Sequence, residues 1–141
     1  MDGGHFLEDL SVGQAASFGK TVTEADILLF AAVSGDTNPV HLNAEAASAS
    51  MFKERIAQGM LSAGLISGVL GSRLPGAGTI YLSQSLRFCA PVRIGDTVTA
   101  RVEVTAIDTA RRRVTLSTAC TVGGRPVIEG EAVVLVQSRA A

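Results

Sequence analysis

One run constrains the fold more than any other. Between Met60 and Leu70 the chain carries Met60, Leu61, Leu65, Ile66, Val69 and Leu70, with Ala63, Gly64, Ser67 and Gly68 among them. Apolar nearly all round, the run reads as a helix that must be buried. Glycine costs about 1 kcal/mol against alanine inside a helix, so Gly64 and Gly68 need a packing reason. Close approach of a sheet on several sides supplies one. The longest apolar stretch, Gly59 to Gly71, is too short and too rich in Gly and Ser to span a bilayer. The same shortness argues against Gly64 and Gly68 as a membrane-type dimer face, and no membrane partner is predicted.

From Thr79 onward the period changes to two. Val98, Ala100, Val102, Val104 and Ala106 alternate with Thr97, Thr99, Arg101, Glu103 and Thr105, the pattern of a strand with one buried face. Val114, Leu116, Thr118, Cys120 and Val122 repeat it after a turn at Asp108 to Arg111. Gly123-Gly124 is a hairpin signal that leads into a strand from Val127 to Val136. Pro91 and Gly95-Asp96 predict a bulge or bend after the Tyr81–Phe88 strand. Helices first and four antiparallel strands last make an α+β layout.

Ahead of the buried helix lies a candidate acid–base pair. Thr23-Glu24-Ala25-Asp26 resembles a capped helix start, with Ile27, Leu28, Phe30 and Ala31 as its apolar side. Gly35 suits the left-handed position that ends such a helix, so Asp36 leaves on an irregular segment. Asn38-Pro39 holds that segment extended up to His41. Asn43 can cap a short helix from Ala44 to Met51. A carboxylate and an imidazole held stiffly five residues apart can move protons, and the helix start at Gln58-Gly59-Met60 can stabilise an anion. On spacing alone such a pair is more often a chance spacing or a structural hydrogen bond than a catalytic site. Two histidines and two separated cysteines leave no ligand cluster for a metal, and none is predicted.

The run Ser34-Gly35-Asp36-Thr37-Asn38-Pro39-Val40-His41, then Gln58-Gly59-Met60, then Tyr81-Leu82-Ser83-Gln84-Ser85-Leu86-Arg87-Phe88, resembles the MaoC-like, R-specific enoyl-CoA hydratase family, including its short-chain polyhydroxyalkanoate-pathway members. The likeness spans nearly the whole chain and implies a single hot-dog domain over residues 1–141, an antiparallel sheet wrapped around one helix. It implies syn hydration of trans-2-enoyl-CoA to R-3-hydroxyacyl-CoA. Asp36 and His41 would share one water, and the Gly59 N–H would bond the thioester oxygen. Asn38 either orients the water or Asp36, or only shapes the turn before Pro39. Ser67 and Leu70 match acyl-pocket positions; Ser62 and Ser67 either line that pocket or bond back to their own helix, and for Ser62 the bond back is the preferred reading. Gln58 departs from the family, which commonly has His there.

The remaining expectations are quickly stated. Hydration moves no electrons and no nucleotide-binding glycine pattern is present, so no cofactor is predicted and CoA is the handle of the substrate. A net charge of −1 gives no basic footprint for nucleic acid. Arg111-Arg112-Arg113 is read as solvated turn charge, with a CoA phosphate contact as the other reading, and Lys53-Glu54-Arg55 as a solvent-facing connection. With 47% hydrophobic and 18% charged residues, one face is expected to be covered by a second subunit, and the resemblance implies a homodimer joined edge to edge. Cys89 and Cys120 read as buried or half-buried thiols in a reducing compartment, His5 as a surface residue, and residues Met1 to Leu10, with Asp2, Glu8 and Asp9, as no signal peptide. A cytoplasmic protein is expected. The competing readings are an acyl-carrier-protein dehydratase, a hot-dog thioesterase and a non-catalytic acyl-CoA-binding module.

Overall fold

The computed structural model describes residues 4–140, so Asp2 and the two chain ends lie outside the described residues. Four helical segments and five strands follow in the order β1 (Ala15–Thr21), α1 (Glu24–Ser34), α2 (Pro39–Leu42), α3 (Ala44–Ser48), α4 (Gly59–Ser72), β2 (Ile80–Phe88), β3 (Thr97–Asp108), β4 (Arg113–Val122) and β5 (Arg125–Leu135), after a 3₁₀ turn at Leu7–Asp9. One antiparallel sheet takes the order β1-β3-β4-β5-β2. The fifth strand, β1, was not foreseen. Ala15-Ala16-Ser17-Phe18-Gly19-Lys20-Thr21 is an edge strand exposed along most of its length, so it carries no alternation to read.

The core lies between α4 and the inner face of the sheet. Val98, Ala100, Val102, Val104, Val114, Leu116 and Cys120 meet Leu61, Ile66, Val69 and Leu70 there. Burying a side chain of this kind stabilises by about 1.5 to 3 kcal/mol, so this seam is the main apolar contribution to folding. Alternation along β3 breaks at a bulge between Val104 and Ala106, opposite Leu116 and Thr115. Ala106 therefore turns outward and Ile107 packs against the core, which corrects the expected face. Gly123 and Gly124 take φ of +57° and +79°, the positive pair that a tight two-residue hairpin needs.

On α4 the buried stripe is Leu61, Ser62, Ala63, Ile66, Val69 and Leu70, while Gly64, Ser67 and Gly68 face outward and Met60 is 53% exposed. A Cβ added at Gly64 or Gly68 would meet nothing within 4 Å. The helix is thus covered by the sheet on one side and open on the other, contrary to the expected all-round burial. Similarly, α1 buries Ile27 and Ala31, half-buries Phe30 and leaves Leu28 exposed. Cys120 is buried but Cys89 is exposed, and His5 is half-buried with Nδ1 donating to the Pro75 carbonyl at 3.0 Å. Among the described residues no helix is long and apolar enough to cross a membrane.

Candidate active site

The connection from α1 to α4 builds the site. Thr23 Oγ1 accepts from Asp26 N while Asp26 Oδ2 accepts from Thr23 N, a capping box that fixes where α1 begins. Gly35 ends it at φ +78°, and Asp36 follows immediately. Asn38 Oδ1 then accepts from Val40 N and Pro39 stands at the first helical position, so His41 sits on the one-turn helix α2 and not on the irregular segment expected. A proline tolerated at the start of a helix explains the difference. Asn43 caps α3 through Ala46 N, but the helix stops at Ser48, short of Met51.

His41 is buried and anchored at both ends. Its Nδ1 lies 2.8 Å from the Ile56 carbonyl, which only accepts, so Nδ1 carries the proton and Nε2 of the neutral ring is left as an acceptor. That Nε2 faces Asp36 Oδ2 at 3.7 Å, too far for a direct hydrogen bond. A separation of this size is one that a single bridging water could span. The His41 carbonyl accepts from Arg55 Nε at 2.7 Å, and the same guanidinium grips Glu24 at 2.7 and 3.0 Å. Arg55 is therefore no solvated turn residue. It ties the start of α1 to the backbone that carries the imidazole.

A cavity of about 500 Å³ opens beside the pair. Asp36, His41, Gly59, Gln58 and Ser62 line it together with apolar side chains, among them Phe52, Ile56, Phe88, Val127 and Ile128. Gly59 is the first residue of α4, where a backbone N–H has no partner within the helix, and none is found for it among the described residues. A Cβ at this position would stand 2.7 Å from Phe88 Cε1. Glycine is thus what lets the Phe88 ring close over the helix start.

Asp36, His41 and Gly59 are brought together. The other three predicted site residues are not on this wall: Asn38 spends its side chain capping α2, Ser67 is on the open face of α4, and Leu70 is packed in the core. The helix turns Ser62 toward the cavity instead, and its hydroxyl makes no bond back to the helix. Burial of Ser62 on the sheet side was the available signal, because it shares a stripe with Ile66 and Val69 at helical spacing. Arg55 and Ile56 carried no such signal, since each acts through a backbone carbonyl or a partner far along the chain.

Known proteins resemble this chain along most of its length. The model of the MaoC like domain matches residues 10–123. An (R)-specific enoyl-CoA hydratase of Rhodospirillum rubrum is 59% identical over 135 residues, covering 96% of this chain and 94% of that protein. The R-hydratase PhaJ1 from Pseudomonas aeruginosa, solved in the unliganded form, is similar with a TM-score of 0.91 and 44% identity, over 96% of this chain and 88% of that one. The (R)-hydratase from A. caviae involved in PHA biosynthesis gives 0.89 and 47%, over 92% and 98%. With its sheet, its central helix and this match along most of its length, the chain belongs to the MaoC-like domain family and has the hot-dog fold.

Proposed function

We propose that this protein is an R-specific enoyl-CoA hydratase, which adds water syn across the double bond of a trans-2-enoyl-CoA and runs in reverse as a 3-hydroxyacyl-CoA dehydratase. The observation that carries the reading is the pair Asp36 Oδ2 and His41 Nε2, 3.7 Å apart at a cavity that Gly59 also lines. Its similarity to the (R)-specific enoyl-CoA hydratase of R. rubrum and the R-hydratase of P. aeruginosa supports it.

In this reading one water sits between Asp36 and His41. His41 Nε2, left unprotonated by the Nδ1 bond to Ile56, takes a proton as the water oxygen bonds to C3. The pair returns a proton to C2 from the same face, so the addition is syn. Negative charge that builds on the thioester oxygen is met by the Gly59 N–H at the positive end of α4. CoA is the handle of the substrate, and the reaction needs no further cofactor because no electrons change hands. Short to medium acyl chains are the substrates this reading assigns. A homodimer would cover the edge strand β2, where Ile80, Tyr81 and Leu82 are exposed. The cytoplasm, where free thiols persist, is the expected compartment.

The test follows the enoyl-thioester absorbance of crotonyl-CoA, with a coupling dehydrogenase specific for the R product and a thiol reagent in parallel. Loss of absorbance with R product and no thiol release is expected. Thiol release would indicate a thioesterase, and faster turnover of carrier-linked than of CoA-linked substrate a carrier-protein dehydratase. Acyl-CoA binding with no turnover of any enoyl thioester would leave only a binding module.

A further inference from the structure

Two polar atoms at the head of α4 have no part in the mechanism above. Gln58 and Ser62 are each 1% exposed, and both line the cavity. The Gln58 amide is oriented, since its Nε2 donates to the Ile27 carbonyl at 3.1 Å and its Oε1 is left to another partner. Neither that Oε1 nor the Ser62 Oγ has a hydrogen-bond partner among the described residues. A helical serine commonly bonds the carbonyl four residues back, here that of Gln58, yet Ser62 does not. Most buried polar atoms are bonded, so two orphans four residues apart at one cavity call for a ligand atom.

The chemistry of the two atoms selects that ligand. An amide oxygen only accepts, whereas a serine hydroxyl both donates and accepts. One hydroxyl oxygen satisfies both at once, by donating its proton to Gln58 Oε1 and accepting from the Ser62 hydroxyl. We propose that Gln58 and Ser62 form a binding site for a single hydroxyl group, that of a second water held for the hydration and distinct from the one that Asp36 and His41 share. The inference rests on the hydratase reading. It assigns the glutamine before Gly59 a direct contact with that water.

Ser62→Ala tests it, because it removes only the unpartnered hydroxyl. Affinities of (R)-3-hydroxybutyryl-CoA and butyryl-CoA are measured by calorimetry on wild type and variant, beside crotonyl-CoA hydration and the melting midpoint. A variant that binds only the hydroxyacyl-CoA about fivefold more weakly, the loss of one ordinary hydrogen bond, would put the product hydroxyl at these atoms and overturn the proposal. If water fills it, both affinities hold and kcat for hydration falls about fivefold. Gln58→Met, checked for folding by its melting midpoint, should reproduce whichever pattern appears. Unchanged affinities and kcat, with a midpoint equal to or above wild type, overturn the proposal and make the two atoms merely buried. An inactive wild type would instead refute the hydratase reading, and the melting midpoint would then decide the site, a lower midpoint for Ser62→Ala supporting the bound water and an equal or higher one overturning it.

Discussion

Replacing Gly59 with alanine adds one carbon at the most crowded point of the site. The new Cβ would stand 2.7 and 2.8 Å from two Phe88 ring carbons, where carbon atoms ordinarily settle 3.5 to 4.0 Å apart. The ring, or the helix start, must therefore move by about 1 Å. Phe88 is half-exposed and can swing, so the fold should tolerate the change, with a melting midpoint close to wild type. The reaction should not tolerate it. A misplacement of about 1 Å between reacting groups costs about 10²-fold, and the displaced ring enters the space through which the thioester oxygen approaches the Gly59 N–H. Steady-state hydration of crotonyl-CoA by Gly59→Ala, Phe88→Ala and the double variant measures this. The double variant should recover about tenfold over Gly59→Ala, because the ring is gone. A folded Gly59→Ala variant within threefold of wild type, or a double variant no better than the single, would refute the argument.

Three further perturbations bear on other links of the account. Arg55→Met removes the bond to the His41 carbonyl and frees Glu24, and should cost about 2 kcal/mol of stability and lower kcat more than it raises KM, read by denaturant melts and steady-state rates. Thr23→Ala deletes the α1 cap and should cost about 1 kcal/mol in the same melts, with little change in KM. Burial pushes the Cys120 thiol up to about 11 from 9.0, so at pH 8 a thiol reagent should label exposed Cys89 alone and reach Cys120 only after unfolding. Since the unfolded chain loses this proton first, stability should fall by about 2 to 3 kcal/mol as pH rises from about 9 to about 11, and Cys120→Ala should flatten the decline.

Much of this architecture was legible wherever periodicity or backbone chemistry is strong. The capped start at Thr23, the left-handed stop at Gly35, the diglycine hairpin and the alternating strands all announce themselves locally, and each stands where expected. That Asp36 and His41 stand close together was legible from Gly35 and Pro39, although Pro39 opens the short helix α2 where an extended segment was expected. What escaped is what no local pattern encodes. Edge strand β1 has no buried face to alternate, the bulge in β3 flips one residue without a glycine or proline to mark it, and the one-sided packing of α4 depends on where the sheet ends. Arg55 reaches 31 residues back to Glu24, a pairing invisible in a local window.

The central claim is that Asp36 and His41 act on one water as a unit, and a double-variant cycle tests it most directly. Asp36→Asn and His41→Gln are compared with wild type and with the double variant in crotonyl-CoA hydration, each checked for folding by its melting midpoint. Each single change should lower kcat about 10²-fold or more, and the double variant should be little worse than the poorer single, because either loss already disables the shared step. Folded single variants with near-wild-type turnover, or losses that multiply in the double variant as for independent groups, would contradict it.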